Sequence, residues 1–328
     1  MSQLADTSRA AVQHDAGYAP SPYDPVEPPA DALPAGQTAK APTLLGDYKE
    51  LTKPRITRMV VITAAIGFVF GSAGTIADLH WPTLLIAMIG TALSCMAASV
   101  FNQAMEYDTD ALMHRTRNRP LAANRVSIRH AMIFGAVLSA LGLGALLAYG
   151  LYLAAAICAF TIASYALVYT PLKRRSSLAL LIGAVPGALP PMIGYAAAAK
   201  DLGPAAWLLF AIMFVWQVPH FLAIAWLYRE DYARARLAML PVIDPTGLRT
   251  FRQTLIGCLL LLPLGILPTS MGVAGRWYFT AALLCGLAFL AFGILLVLRP
   301  TRDNARRLFL ASLVYLPVVL TVMLIDRV

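Results

Sequence analysis

Nine apolar stretches, each long enough or nearly long enough to cross a bilayer, constrain this chain more than any other feature. They cover about residues 56–74, 83–107, 129–149, 151–170, 178–199, 205–228, 253–272, 277–298 and 308–325. A backbone in hydrocarbon has to satisfy its own polar groups, and single runs of this length do so as helices. With 59% hydrophobic and only 13% charged residues, the composition excludes an ordinary soluble domain and implies an all-α, polytopic membrane bundle of nine transmembrane helices. That domain spans residues 45–328. Residues 1–44, rich in Pro, Ala, Ser and Asp with no apolar core, read as a disordered cytoplasmic tail. Arg9 and Lys40 are their only basic residues, which argues against a signal or transit peptide.

The formal charge of +9 invites a nucleic-acid reading, but the basic residues sit in short segments between apolar runs. There they set topology and meet anionic lipid or substrate, so nucleic-acid binding is rejected. Alternating the nine spans places 23 of the 26 lysines and arginines on one face, with Lys200, Arg276 and Arg327 on the other. The positive-inside rule then sets the N-terminus in the cytoplasm (or matrix) and the C-terminus outside, for a multi-pass protein of the bacterial inner (plasma) membrane. Cys95, Cys158, Cys258 and Cys285 show no paired spacing and read as reduced, buried thiols.

Polar chemistry concentrates where the second run ends. If the helix from Thr83 continues through Asp110, Asn102, Glu106 and Asp110 recur every fourth residue and share one face, stepping roughly 6 Å per repeat. Asp108 points elsewhere. Three hard oxygen ligands in a stripe suit Mg²⁺, which takes one or two carboxylates together with substrate phosphate oxygens and waters. Arg115, Arg117 and Arg119 follow at once. A solvated helix flank needs no such register. Arg115 and Arg119 are the first candidates for phosphate oxygens, because guanidinium is always charged and binds in a planar fork. Lys53, Lys173 and Arg174 are weaker diphosphate candidates, since flanks carry such residues for topology alone. Arg125 serves as the comparison within the same loop.

The sixth run supplies the second constellation, Trp216-Gln217-Val218-Pro219-His220-Phe221, ending in Tyr228-Arg229-Glu230-Asp231-Tyr232. The second and sixth spans both run inward, so two acidic clusters face each other across the bundle. His220, deep in apolar sequence, is either a group acting in a cavity or a core histidine bonded to a neighbouring helix. Eleven residues of helix set it roughly 16 Å deeper than Asp231, a separation that suits a diphosphate at the interface and a ring system below it.

These residues carry a resemblance. Residues 46–325 resemble the protohaem IX farnesyltransferases (haem O synthases), a branch of the UbiA superfamily of intramembrane prenyltransferases. The matching pieces include Asp47 through Arg55, Asn102-x-x-x-Glu106-x-x-x-Asp110, Arg115-Thr116-Arg117-Asn118-Arg119-Pro120, Tyr169 through Arg174, Gly187 through Pro191, Trp216-Gln217-x-Pro219-His220 and Arg229-Glu230-Asp231-Tyr232. The carboxylate motif marks the superfamily, and the Trp-Gln-x-Pro-His and Arg-Thr-x-Asn-Arg-Pro motifs mark the haem branch. The resemblance implies a UbiA-type bundle that transfers farnesyl from farnesyl diphosphate to a vinyl group of haem B. It implies Mg²⁺ on Asn102, Glu106 and Asp110, with Asp231 in the second metal motif, and His220 either ligating haem iron or accepting a proton. A haem A synthase or an oxidase assembly factor is the protein partner it implies. The sequence departs from the superfamily where Tyr232 and Arg234 follow Asp231 in place of further aspartate, and where Ala235-Arg236-Leu237-Ala238 replaces a glycine-containing stretch.

Two other functions use part of the pattern. Prenyl transfer to an aromatic quinone precursor needs the diphosphate half and no deep histidine. A transporter would line a midplane path with its polar groups, whereas these acidic groups lie at one interface.

Overall fold

The structure, a computed structural model, describes residues 43–74 and 76–328. The tail expected over residues 1–44 therefore lies outside the described residues, except for Thr43 and Leu44. Leu44 already opens a helix, α1 (Leu44–Leu51), capped by the Thr43 hydroxyl, which accepts from the Gly46 amide at 3.2 Å. Then come α2 (Pro54–Gly71), α3 (Trp81–Leu112), α4 (Ile128–Ala148) and α5 (Tyr152–Ala163). A π-helical turn, Ser164–Tyr169, carries α5 into the short α6 (Thr170–Leu172). The rest of the chain forms α7 (Ala179–Ala188), α8 (Pro190–Ala199), α9 (Pro204–Leu227), α10 (Arg229–Arg234), α11 (Leu240–Ile243), α12 (Leu248–Ser270), α13 (Arg276–Leu298) and α14 (Arg302–Ile325).

Among the described residues, nine helical segments are long and apolar enough to cross a membrane, and they coincide with the nine apolar stretches. Three departures from plain helix matter. The fourth span ends in the π turn, where the Tyr165 carbonyl accepts from both the Thr170 amide and, at 2.8 Å, Thr170 Oγ1. The fifth span is two helices, α7 and α8, because Pro190 and Pro191 lack the amides needed to carry the ladder past Leu189. The sixth span stops at Leu227, since Tyr228 leaves helical geometry (φ −113°, ψ 24°) before α10 begins. The expected 16 Å of continuous helix between His220 and Asp231 is thus corrected: only the seven residues to Leu227, about 10 Å of rise, are helical.

The α7–α8 span is the most enclosed, 72% buried against 28% to 61% for the others. On one side α9, α12, α13 and α14 share a core built on Phe289, Tyr278, Tyr315 and Leu261. On the other, α2, α3, α4, α5 and α8 share one built on Phe68, Ala87, Leu146, Cys158 and Ile193. Arg327 joins the halves, its guanidinium donating to the Val69 and Ser72 carbonyls at 2.7 Å each. All four cysteines are unpaired; Cys158 and Cys258 are buried as expected, while Cys95 and Cys285 are half-buried.

Backbones touch where α2 crosses α8. A Cβ on Gly194 would lie 1.7 Å from the Ala64 carbonyl oxygen, and one on Gly67 would lie 1.9 Å from that of Pro191. Neither neighbour is a side chain that can turn away. Gly194→Ala is expected to cost about 1–3 kcal/mol and to lower the detergent melting temperature by several degrees. Gly144→Ala, with nothing within 4 Å of the added carbon, should leave it unchanged or raise it through helix propensity. Equal melting temperatures for the two variants would contradict the α2–α8 contact.

Candidate active site

Because α3 runs unbroken from Trp81 to Leu112, the sequence spacing becomes geometry. Asn102, Glu106 and Asp110 are 2%, 4% and 1% exposed, while Asp108 faces out on the other side of the helix. Each residue of the stripe meets a cation from a different segment. Lys53 Nζ donates to Asn102 Oδ1 at 3.0 Å, Lys173 Nζ to Glu106 Oε1 at 2.9 Å, and Arg119 Nη1 to Asp110 Oδ2 at 2.6 Å. Asn102 also donates from Nδ2 to Thr170 Oγ1 at 3.1 Å.

Local structure aims these cations. Lys53 occupies the left-handed region (φ 47°) between α1 and Pro54, the first residue of α2. That corner is held because Gln103, next to Asn102 in α3, donates Nε2 to the Leu51 carbonyl at 2.8 Å. Lys173 follows the π turn. Arg119 sits in a loop tied to the end of α3 by Thr116 Oγ1, which donates to the Asp110 carbonyl at 2.8 Å. Burial pushes the Lys53 ammonium down to about 8, with the Arg119 charge acting the same way. Burial also works against the charge on Lys173, but the facing Tyr169 and Glu106 outweigh it and hold that ammonium above the usual lysine range.

The stripe fits a hard divalent cation. Asp110 Oδ1 is buried without a hydrogen-bond partner, a costly state for a carboxylate oxygen. Among the described residues no three His, Cys, Asp or Glu side chains converge. An ion here would thus take Glu106, Asp110 and the Asn102 amide oxygen, with other oxygens completing its sphere, which is the habit of Mg²⁺.

Asp231, expected to complete the metal set, faces the turn after α3: Oδ1 accepts from the His114 amide at 3.3 Å and pairs with Arg234. It shares the face of the bundle and does not join the carboxylates of Glu106 and Asp110 in one cluster. Arg115 is exposed, with its guanidinium 4.8 Å from the Tyr228 ring centre and Nη2 donating to the Tyr232 hydroxyl at 3.3 Å. Arg174 pairs with Asp108 on the outer side of α3. Proximity divides both groups of candidates: Arg119 touches the stripe and Arg115 does not, while Lys53 and Lys173 touch it and Arg174 does not. Arg125 is corrected as well. Far from a bystander, it pairs through Nε with the buried Asp47 at 2.9 Å, so the exposed Arg117 is the proper comparison.

From Lys53 an elongated cavity runs into the bundle between α2, α3, α5 and the α7–α8 span, with Cys95, Ser99, Tyr165 and Gly187 in its wall. Its lining does not include His220. That ring stacks on Trp216 (4.6 Å between centres), leans on Phe309, and reaches Ser312 Oγ of α14 with Nδ1 at 2.7 Å. Its neighbour Gln217 turns toward the cavity side: Nε2 donates to the Met213 and Ala184 carbonyls, and Oε1 lies 2.1 Å from where a Gly187 side chain would start. Thr170, Gln103 and Gln217 were missed as parts of the site, although each stands inside or beside a motif that the sequence displays.

The sequence pattern of the UbiA prenyltransferase family matches residues 60–316. The chain belongs to the UbiA prenyltransferase family. This UbiA prenyltransferase is 44% identical over 287 residues to a protoheme IX farnesyltransferase of Solibacter usitatus, covering 86% of this chain and 98% of that one. It is 41% identical over 292 residues to the protein of that name from Koribacter versatilis, covering 87% and 94%. Among solved structures it is similar in fold to a digeranylgeranylglyceryl phosphate synthase (TM-score 0.72, 19% identity, 86% and 98% covered). A UbiA homolog from Archaeoglobus fulgidus bound to GPP and Mg²⁺ shares the fold at TM-score 0.59 and 15% identity, covering 84% and 99%.

The helical register makes a sharp comparison. Asp110→Ala is expected to cut turnover by about 100-fold or more, as loss of transition-state charge stabilisation does, whereas Asp108→Ala stays within about threefold. Comparable losses in steady-state assays would show that the buried face is not what matters. Likewise Arg119→Lys, which keeps charge but loses the fork, should weaken diphosphate use by about tenfold while Arg117→Lys leaves it unchanged.

Proposed function

We infer that this chain is a protohaem IX farnesyltransferase, transferring the farnesyl group of farnesyl diphosphate to a vinyl group of protohaem IX (haem B) to give haem O. The single observation that carries the inference at the site is the buried Asn102–Glu106–Asp110 face, ringed by Lys53, Lys173 and Arg119 at the mouth of a cavity that enters the bundle. Near-full-length similarity to protoheme IX farnesyltransferases supports the choice of acceptor.

In the reaction the vinyl carbon forms a bond to farnesyl C1 while the C1–O bond breaks and diphosphate departs. Water adds to the carbon left positive and gives up a proton, leaving a hydroxyethylfarnesyl group. Lys53, Lys173 and Arg119 bind the departing oxygens, and Asp231 lies on the same face to take part in a second metal contact. Mg²⁺ on Asn102, Glu106 and Asp110 would act as a Lewis acid, neutralising the leaving group's charge. The cavity wall keeps bulk water from the allylic cation until the vinyl group attacks.

His220 belongs, in this reading, to the haem half. Ser312 Oγ donates to the Phe309 carbonyl, so it accepts from His220 Nδ1–H and leaves Nε2 with its lone pair. A histidine oriented through one ring nitrogen and free at the other suits iron ligation or proton transfer. The distribution of basic residues supports an inner-membrane protein with its N-terminus cytoplasmic and C-terminus outside. The product, haem with a long apolar tail, stays in the bilayer, and the reading extends to a haem A synthase or an oxidase assembly factor as the recipient.

Purified protein incubated with haem B, farnesyl diphosphate and Mg²⁺ should yield a pigment heavier by one farnesyl group and one hydroxyl group, and chelation should abolish it. An unchanged haem mass would sink the assignment. His220→Ala should shift the absorption spectrum of bound haem and stop product formation, while Mg²⁺-dependent binding of farnesyl diphosphate survives. An unaltered spectrum and turnover would return His220 to a packing role.

A further inference from the structure

Away from Lys53, the lining of the cavity ends at Thr91, Cys158 and Ile193. Along α3 its wall runs from Ser99 through Cys95 to Thr91, along α5 it reaches Cys158, and along α8 it reaches Ile193. On α2 the wall stops at Val60. One turn farther, Ala64 is fully buried, and its carbonyl lies against Gly194 where the two backbones touch. Beneath Cys158 and Ile193 lies the buried layer of Phe68, Ala87 and Leu146.

We propose that Thr91, Cys158 and Ile193 form a floor that measures the prenyl chain, admitting three isoprene units and refusing a fourth. This rests on the prenyl-transfer reading. Eleven residues of α3 separate Asn102 from Thr91, about 16 Å of helix. An extended chain advances about 1.2 Å per bond, so a farnesyl group with its ~11 chain bonds needs about 13 Å and a geranylgeranyl group about 18 Å. The first fits between the stripe and the floor with space for the C1–oxygen bond, and the second overruns it. Because α2 and α8 touch through backbone at Ala64 and Gly194, the wall between those two helices cannot recede by a rotamer change. Cys158 is small and Ile193 branched, so the depth is adjustable in both directions by substitution.

The test compares the full-length protein with Ile193→Ala, which lowers the floor, and Cys158→Phe, which raises it; Thr91→Leu replaces Cys158→Phe if that variant does not fold. Selectivity is read in two arms: kcat/KM for diphosphate release from geranyl, farnesyl and geranylgeranyl diphosphates with haem B, and equilibrium binding of the corresponding thiodiphosphates without haem. The parent should prefer farnesyl over geranylgeranyl by about tenfold or more, Ile193→Ala should raise the geranylgeranyl-to-farnesyl ratio about tenfold, and Cys158→Phe should shift preference toward geranyl by a similar factor. A parent indifferent to chain length, or ratios within about threefold in both variants, would overturn the proposal. If haem is not the acceptor, the binding arm alone still reports the floor, so the two readings fail separately.

Discussion

Everything at the end of the bundle where α3 carries its polar stripe depends on matching buried oxygen with buried positive charge. Glu106 and Asp110 are almost fully removed from solvent, and a carboxylate in that position survives only with a partner; stripping the partner from a buried pair costs roughly 3–5 kcal/mol. The chain meets that demand with Lys173 and Arg119, and adds Lys53 on the neutral Asn102. No two of these cations come from the same segment. The corner before α2, the π turn after α5 and the loop after α3 must all be in place before the α3 face is satisfied, so the site and the assembly of the first four spans are one energetic problem.

That arrangement also prepares the chemistry. With diphosphate and a divalent cation present, the carboxylates gain a metal partner and the ammonium and guanidinium groups gain phosphate oxygens. Neither set then has to be left uncompensated as the other is engaged. Lys53 is the best placed to change partners, since Asn102 carries no charge to hold it. The Gln103 bond to Leu51 and the Asp47–Arg125 pair keep its corner fixed while the side chain turns.

The sequence made the spans and the α3 face legible because both are periodic: apolar length announces a crossing, and a four-residue repeat of oxygen ligands survives any small error in helix ends. What it concealed was the behaviour of backbone at proline and at the π turn. Nothing in Ser164–Tyr169 distinguishes a π turn from ordinary helix before tertiary contacts form, so Lys173 read only as a weaker diphosphate candidate when it is the partner of Glu106. Pro190 and Pro191 were visible, but a run broken at Leu189, just before them, and a straight apolar run have the same composition. The continuous helix expected from His220 to Asp231 was misjudged for a related reason: the break at Tyr228 has no strong local breaker before it, and Tyr232 and Leu237 beyond it join Met113 in one buried cluster.

The cavity raises a final point about polarity. Its wall contains Thr91 and Thr161, residues whose hydroxyls, if free, would draw water toward an allylic cation. Both donate instead to carbonyls one turn back on their own helices, Thr91 to Ala87 at 2.7 Å and Thr161 to Ile157 at 2.7 Å. Helical threonine does this readily in a membrane, where no solvent competes for the proton. With its donor proton engaged on the helix, each hydroxyl has no hydrogen left to offer a water molecule. These two threonines therefore present the cavity with acceptor lone pairs and no free donor, and the strongly polar chemistry gathers at the end where Asn102, Glu106 and Asp110 meet their cations.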